Sequence, residues 1–402
     1  MSMRISTAGM HAAALELLLG AQARLARTQE QIASGRRINS PADDPIGATR
    51  IESLTRQIES GRQYVRNADT TANRLKFEEQ ALADLGGSLN RIRELVLQAS
   101  NATIDPASRD MIREEVAGRV QEMLDIANRQ DGQGEYLFSG LAAQTRPFER
   151  TVGVVVYRGD QGQRFQPVGA TQRVADGDAG YAVFRRVPGG NGTFVTGPAT
   201  GNAGTGVIGV GNVLDPSAWP GGTFTLRFVA ADAWEVVDSA TPVPNVVASG
   251  TYVSGQAIGF AGVSVEVSGE PAAGDSFAVS EAGRVDMFAA LDDLVATLGA
   301  STATPAERAQ FQSRLAGNLA QLDQSLEHLQ QVRAGVGVRL GTLDNAVAAQ
   351  EDLETDLQSL LSGIRDLDYA EAVSRLNQQY VALQAAQQSL ARVGQLSLFD
   401  YL

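Results

Sequence analysis

The sequence predicts an α+β multidomain fold, in which N- and C-terminal segments form a long helical coiled-coil or bundle rod with an inserted β-rich domain. From Thr7 to about Gln144, and again from Val285 onward, apolar residues recur at helical spacing. Between them, from about Phe148 to Ala282, short alternating runs rich in glycine, threonine and valine are typical of strands. An inserted domain whose two ends lie close together is the economical explanation for this order.

The composition narrows the classes of function. The 402 residues carry a net charge of −13, which argues against nucleic acid or an anionic membrane as the main partner. Cysteine is absent and histidine occurs twice, so disulfides, zinc fingers and thiol nucleophiles are excluded. No apolar run reaches transmembrane length. We therefore expect no metal, no cofactor and no catalytic residue.

The C-terminal part contains a heptad pattern typical of helices that pack side by side. Its helix is predicted to begin at "TPAE", with Thr304 as N-cap, Pro305 at the first helical position and Glu307 reaching back to the cap. One column of the pattern comprises Leu322, Leu329, Val336, Leu343, Gln350, Leu357 and Ile364. The second column comprises Leu319, Leu326, Arg333, Leu340, Val347, Glu354 and Leu361.

The N-terminal part supplies two further long helices. The first repeats the same spacing and is weakened late by Gly86 and Gly87. Asp105 and Pro106 are predicted to cap the next. Three long helices lying side by side would form a rod. The apolar positions are Ile51, Leu54, Ile58, Val65, Ala72, Leu75 and Leu82 in the first helix, and Ile112, Val116, Val120 and Met123 in the second.

The helices at the two ends of the chain are unusual because they carry little charge. The segment from Leu376 to Ala391 contains no charged residue, whereas a solvated helix normally has a charged outer face. We expect these helices to bury that face against neighbouring copies of the chain, and a helix folded back on its own core remains the alternative. The predicted assembly seam comprises Leu15, Leu18, Leu25, Ile32, Val373, Leu376, Tyr380, Leu383 and Leu390.

Between the first two helices lies a short polar segment, "SGRRINSPADDPIG". A glycine suited to a left-handed helix end comes first, and two prolines then bar any helix from crossing the segment. Asp44 would cap the next helix, and both aspartates lie near the two arginines. A catalytic carboxylate pair and a metal loop are alternatives, but a capped joint between two helical layers fits best. The predicted joint comprises Gly35, Arg36, Arg37, Asn39, Pro41, Asp43, Asp44 and Pro45.

Features that suggest an enzyme are weak. His11 and His328 lie in different helical regions, where a helix-surface position is the simpler interpretation. The run "GVGVRLG", Gly335 to Gly341, lacks phosphate-loop spacing and follows no strand, so its glycines more plausibly permit close helix approach. Trp219 and Trp234 could line a sugar site, although a packed core is the more common role.

Five motifs of the chain resemble motifs of the bacterial flagellin superfamily and follow one another in the same order. The resemblance covers about residues 3–145 and 285–402 and leaves out the β insertion. The "SPADDPIG", "YLFSG" and "LSLFDYL" versions favour a member at the hook–filament junction over filament flagellin. The motifs are "MRISTAGM" (Met3–Met10), "ASGRRINSPADDPIGA" (Ala33–Ala48), "GEYLFSG" (Gly134–Gly140), "SGIRDLDYAEAVSRL" (Ser362–Leu376) and "LSLFDYL" (Leu396–Leu402).

The resemblance implies a layered structural subunit without catalytic activity. Residues 1–44 with 363–402 would form a terminal coiled-coil layer, residues 45–147 with 285–362 a helical rod, and residues 148–284 an outer β-rich domain. It also implies export through the flagellar type III apparatus with the help of a chaperone. The expected neighbours are further copies of the chain, the first junction protein and flagellin. An adhesin-like role for the outer domain stays open.

Overall fold

A computed structural model describes residues 7–101, 104–239 and 245–395. The motif at residues 396–402 lies outside this range, as do the first four residues of the motif at 3–10. The contacts divide the chain into two compact units, residues 1–66 with 346–402 (unit 1) and residues 67–345 (unit 2). The three-domain division drawn from the sequence stays a prediction.

The predicted class is confirmed: long terminal helices enclose an inserted region of antiparallel sheets. Short strands begin after α3, and the chain is helical again from α5 onward. The helices are α1 (Thr7–Ser34), α2 (Pro45–Ala99), α3 (Pro106–Ala127), α4 (Gly180–Phe184), α5 (Met287–Leu298), α6 (Pro305–Arg365) and α7 (Tyr369–Gln395). The strands are β1 (Phe148–Thr151), β2 (Val154–Tyr157), β3 (Phe165–Pro167), β4 (Arg173–Ala175), β5 (Val187–Pro188), β6 (Phe194–Pro198), β7 (Val207–Ile208), β8 (Asn212–Val213), β9 (Thr223–Ala230), β10 (Ala233–Asp238), β11 (Asn245–Thr251), β12 (Ala257–Phe260), β13 (Val263–Ser268), β14 (Ser276–Glu281) and β15 (Arg284–Val285).

Unit 1 consists of two antiparallel helix pairs. Helix α7, whose middle is uncharged, packs along α1, and the first part of α2 packs along the last part of α6. Leu54 and Ile58 of α2 form a buried cluster with Leu357 and Leu361 of α6, so the heptad positions meet as their spacing predicts. Arg62 adds an ion pair to Glu354 at 2.7 Å on the exposed side of the same pair.

In unit 2 the two heptad columns of α6 are not equivalent. Residues of the first column, from Leu322 to Leu343, are almost fully buried, whereas Leu319, Leu326 and Leu340 of the second are half-buried. The predicted apolar face of α3 is buried as well. One column therefore points into the core and the other lies along its edge, as expected where a helix packs on one broad side.

Two helix starts show the predicted caps. The Glu307 backbone N–H donates to Thr304 Oγ1 at 3.2 Å, and the Thr304 N–H donates to Glu307 Oε2 at 2.9 Å, so the capping box is confirmed. At the start of α3 the Ser108 N–H donates to Asp105 Oδ1 at 2.9 Å, with proline next in the chain. These starts depend only on residues within one turn, which is why the sequence is enough to place them.

Two expectations were wrong. The first helical region ends at Ala127 instead of about Gln144, because the Asn128 side chain bonds to Leu124 and also to the backbone of Phe148, which starts the insertion. The glycines of Gly335–Gly341 do not serve close helix approach within the described chain: nothing lies within 4 Å of where a Cβ would stand on Gly335, Gly337 or Gly341.

The β region has its own core between a five-stranded sheet, in the order β11-β10-β9-β14-β6, and a four-stranded sheet around β13. Its strands β9 and β13 are short alternating runs of the kind that the sequence predicts to be strands. The Trp219 ring lies 5.4 Å from that of Phe224, and Trp234 Nε1 donates to the Thr251 carbonyl at 3.2 Å. Both tryptophans pack against this core, so the packed-core interpretation is confirmed.

The two ends of the insertion lie close together, as the sequence predicts: the ring of Phe148, at its start, lies 5.3 Å from the ring of Phe288, just after its end. Strands β5 and β15 pair Val187 with Val285, and the Gly189 N–H donates to the Gly283 carbonyl at 2.9 Å. Outside this strand pair, four buried phenylalanine rings pack together at centroid distances of 5.0–5.5 Å. They are Phe138, Phe148, Phe184 and Phe288.

Candidate assembly surface and interhelix joint

The joint between α1 and α2 is held by backbone bonds to the segment between α6 and α7. The Arg37 N–H donates to the Arg365 carbonyl at 2.7 Å, and the Leu367 N–H donates to the Gly35 carbonyl at 3.0 Å. Gly35 adopts φ +68°, the left-handed conformation that ends α1 without a Cβ penalty. Sequence reasoning missed the partner segment, because nothing local links residues more than three hundred positions apart.

The aspartates of the joint bind the loop backbone. Asp43 accepts from the Ser40 N–H at 2.9 Å and the Asn39 N–H at 3.2 Å, and mainly the Ser40 bond lowers the pKa of its carboxyl. Asp44 caps α2 by accepting from the Gly47 N–H at 2.9 Å, with Pro45 at the first helical position. Backbone donors therefore occupy both carboxylates, which is the chemistry of a capped loop.

The arginines of the joint pair differently from the sequence expectation. Asp43 lies 3.6 Å from Arg27 of α1, and no ion pair joins either aspartate to Arg36 or Arg37 among the described residues. Arg37 instead donates to the Ile364 carbonyl at 2.7 Å, and Arg36 lies opposite Asp366 in an isolated bridge. The long-range partner segment draws these residues away from the aspartates.

The remaining positions fill the loop. Asn39 Oδ1 accepts from Ser34 Oγ at 2.8 Å, and Pro41 is exposed in the turn. Ile38 is buried, and a Cβ on Gly47 would stand 2.5 Å from its Cδ1 atom. Sequence reasoning missed Ile38 and Gly47, although an isoleucine within so polar a segment could have indicated a buried anchor.

The structure places the predicted seam residues in two environments. Leu18, Leu25, Ile32, Leu376, Leu383 and Leu390 are half-buried on the paired helices, whereas Leu15, Val373 and Tyr380 are exposed by 52%, 45% and 62%. Among the described side chains of the pair, Thr28, Gln31 and Ala372 are buried instead. The inner face is thus turned by about one position, and the role of the seam in an assembly stays a prediction.

The outward faces of α1 and α7 carry several exposed apolar side chains. Leu17 and Leu19 of α1 and Val381 of α7 are more than half exposed, beside the uncharged polar residues of α7. Contiguous exposed apolar surface commonly marks an interaction site. We call the exposed residues Leu15, Leu17, Leu19, Val373, Tyr380 and Val381 the outer apolar face.

The described ranges give little support for a metal site, a membrane-spanning helix or a catalytic histidine. They contain no group of three or more metal-ligating side chains, and none of their helices is long and apolar enough to cross a membrane. His328 Nε2 lies 3.0 Å from the Ala182 carbonyl, and the side chain of His11 lies outside the description.

Family models match both ends of the chain. The bacterial flagellin N-terminal helical region matches residues 5–143, and the C-terminal helical region matches residues 319–402, together more than half of the chain. Flagellar hook-associated protein 3 of Salmonella typhimurium is 26% identical over 185 residues, 46% of this chain and 58% of that protein. The chain thus spans only about six-tenths of that relative's length.

Similarity over most of the chain is found in two further proteins. The crystal structure of Xanthomonas campestris FlgL is 34% identical, covers 77% of this chain and 99% of its own, and superposes with a TM-score of 0.72. Polar flagellin C of Vibrio parahaemolyticus is 23% identical over 98% of both chains. With its terminal helices matched and its fold shared over most of its length, the chain belongs to the bacterial flagellin family.

Proposed function

We propose that this chain is a structural subunit of the bacterial flagellum that forms the junction layer between hook and filament by helical self-assembly. The observation that carries the proposal is the 34% identity with FlgL over almost that protein's whole length. A junction layer performs no chemistry: it must match one type of neighbour below and another above.

The outer apolar face is the surface proposed for self-assembly. Contacts between unlike patches on identical subunits do not close pairwise, so they generate rings or helical tubes. Burying α1 and α7 against copies of themselves removes apolar surface from water, at about 25 cal/mol per Å². Unpaired charges would oppose such burial, which explains why the middle of α7 has none.

The proposed partners follow from the place in the assembly. Hook-associated protein 1 and flagellin are the axial neighbours, other copies of the chain are the lateral ones, and a flagellar export chaperone escorts the chain to the type III apparatus. In this proposal the three layers are residues 1–44 with 363–402, residues 45–147 with 285–362, and residues 148–284. The joint at Gly35–Pro45 would connect the first two.

Filament flagellin is the second candidate, and the full-length similarity to polar flagellin C favours it. Immunogold labelling of native flagella separates the two. A junction subunit labels only the hook end of the filament, and a strain lacking the chain sheds flagellin into the medium. Label spread along the whole filament would contradict the junction role and support the flagellin.

An adhesin-like role for residues 148–284 is a less favoured candidate. Glycan-array binding by the full chain, compared with a variant in which residues 190–282 are deleted, tests it. Binding that disappears with the deletion would assign the insertion a recognition role, whereas no binding above background leaves it a spacer.

A further inference from the structure

A buried polar cluster in unit 2 has two side-chain atoms that the protein itself leaves unpaired. Arg74 and Glu78 lie one turn apart on α2 and are 9% and 1% exposed. The terminal nitrogens of Arg74 donate to the Asp131 and Glu135 carboxylates and, at 3.0 Å, to the Tyr136 carbonyl, but Nε has no acceptor. Glu78 Oε1 accepts from the Asp178 N–H at 3.0 Å, whereas no donor of the described chain reaches Oε2.

Both atoms border the same space beside Gly177. A Cβ on this glycine would stand 3.6 Å from Glu78 Oε2, 3.7 Å from Arg74 Nε and 3.8 Å from the Leu137 carbonyl oxygen, and these are its three nearest neighbours. One hydrogen-bond donor and two acceptors therefore converge where a side chain would otherwise begin. Buried polar groups without partners are rare, because each costs the free energy of its lost hydration.

We infer that a single structural water molecule is bound between Arg74 Nε, Glu78 Oε2 and the Leu137 carbonyl, against the α-carbon of Gly177. A water molecule accepts from the guanidinium N–H and donates to the Leu137 carbonyl; it donates to Glu78 Oε2 when the carboxyl is ionised and accepts from it when the carboxyl is protonated, which meets the two to four polar partners that an internal water needs. A cation is disfavoured by the adjacent guanidinium, and an anion by the carboxyl and carbonyl oxygens.

This water joins three segments that are distant in the sequence. Arg74 and Glu78 belong to α2, Leu137 belongs to the "GEYLFSG" motif, and Gly177 follows β4. Glycine at 177 leaves room for the water, because a Cβ there would occupy its place. The site is independent of the proposed junction role, since it concerns how unit 2 is held together.

The direct test is a crystal structure of the full-length wild-type chain at a resolution that shows internal waters. We expect density for one water within about 2.7–3.2 Å of Arg74 Nε and of Glu78 Oε2. Direct contact between these two atoms, or between Glu78 and the Asp178 carboxyl with no density beside Gly177, would overturn the inference.

A matched pair of variants tests the site in solution. Gly177 does not adopt a positive φ and its Cβ would meet only ordinary contacts, so Gly177→Ala is sterically tolerated but displaces the water. We expect its Tm to fall by about 2–8 °C, since two buried groups lose their partner. The control Gly283→Ala, where nothing lies within 4 Å, should leave Tm unchanged or slightly raised. A rise in both variants would contradict the inference, and if Gly177→Ala fails to fold, the wild-type density decides.

Discussion

At the scale of single residues, buried charge is concentrated in one cluster of unit 2. Burial raises the pKa of Glu78 well above its ordinary value, and the nearby Asp178 carboxylate raises it further, whereas Arg339 acts in the opposite direction. Arg339 of α6 pairs with Asp178, and Arg74 of α2 pairs with Asp131 and Glu135. The surroundings of Glu78 thus favour its protonated form.

The first prediction is that Glu78 makes folding depend on pH. Because its folded pKa is raised, its stabilising effect is complete below the unfolded pKa of about 4.3 and is lost as pH rises through the folded pKa. Glu78→Gln keeps a neutral side chain of the same shape at every pH. We expect the stability of the variant relative to wild type to increase by about 1.4 kcal/mol per pH unit within that window.

Denaturant melts of both proteins from pH 4 to pH 8 measure this difference. The exposed Glu351→Gln serves as the control, since its carboxyl lies at the surface of α6 and should give a flat difference. A flat difference for Glu78→Gln as well would show that Glu78 titrates normally in the folded chain.

The second prediction concerns Gly35 in the joint. An alanine there would adopt φ +68° and place its Cβ 2.9 Å from the Tyr369 hydroxyl oxygen. We expect Gly35→Ala to lower the free energy of unfolding by about 1–2 kcal/mol for the left-handed backbone alone, with the contact adding to it. Chemical denaturation measures the loss, and Gly35→Ala with Tyr369→Phe should recover only the part due to the contact.

Gly20→Ala is the matched control within α1. Gly20 lies inside the helix, and its Cβ would meet no atom closer than 3.7 Å. Alanine there should stabilise the chain by about 0.5–1 kcal/mol through helix propensity. Equal effects of the two substitutions would show that Gly35 has no special conformation.

At the scale of elements, α1 and α7 form a pair with two distinct faces. Their inner face is half-buried within the chain, and their outer apolar face, which includes Leu17 and Val381, is exposed. Because both helices are short of charge, solvation does little for that outer side. The pair therefore gains most from partners outside the single chain.

The third prediction tests the outer apolar face at Tyr380. This side chain is 62% exposed, so Tyr380→Asp should change the Tm of the purified monomer by no more than about 2 °C. In an assembly the new carboxylate would be buried without a partner. This should cost roughly 3–5 kcal/mol, the range found when a buried ion pair loses one of its two members. Motility of a complemented strain should be lost, and flagellin should appear in the medium.

Leu383→Asp is the contrasting variant. Leu383 is half-buried on α7, so its substitution should lower the Tm of the monomer as well as prevent assembly. Glu351→Gln on α6 should affect neither property. Full motility with Tyr380→Asp would rule out the outer apolar face as an assembly surface.

At the scale of the whole molecule, the insertion contributes to two different buried clusters among the described residues of unit 2. The β-region core includes Phe194, Phe224 and Phe277, whereas the phenylalanine cluster of Phe138 and Phe288 joins the start of the insertion to α5. The β5–β15 pair lies between them in the sequence. The insertion is therefore divisible at that strand pair.

The fourth prediction follows from this division. Replacing residues 190–282 by a short Gly/Ser linker would connect Gly189 to Gly283, which are already joined by a backbone hydrogen bond. The shortened chain should therefore fold, be exported and support motility. Replacing residues 148–282 also removes Phe148 and Phe184, and each buried phenylalanine lost costs about 3–5 kcal/mol. Circular dichroism melts of both deletions compare them. Equal stability would show that the phenylalanine cluster contributes nothing.

The sequence by itself determined the features that depend on neighbours within one or two turns. The caps at Asp44, Asp105 and Thr304, the end of α1 at Gly35 and the heptad faces of α2 and α6 are of this kind, because hydrogen bonds and side-chain spacing along a helix are local. The alternation of β9 and β13 is local too, since successive side chains of a strand point to opposite faces.

Only the tertiary structure decided which segments meet. Three features are of this kind: the pairing of the joint with Arg365–Leu367, the choice of Arg27 as the partner of Asp43, and the burial of Glu78. Each depends on residues that lie apart in the sequence and that no local pattern connects. The rotation that exposes Tyr380 and half-buries Leu383 is similar: a heptad pattern restricts the packed face to neighbouring positions, and the partner helix selects among them. Such choices depend on the summed packing of distant surfaces, for which no single stretch of sequence carries the information.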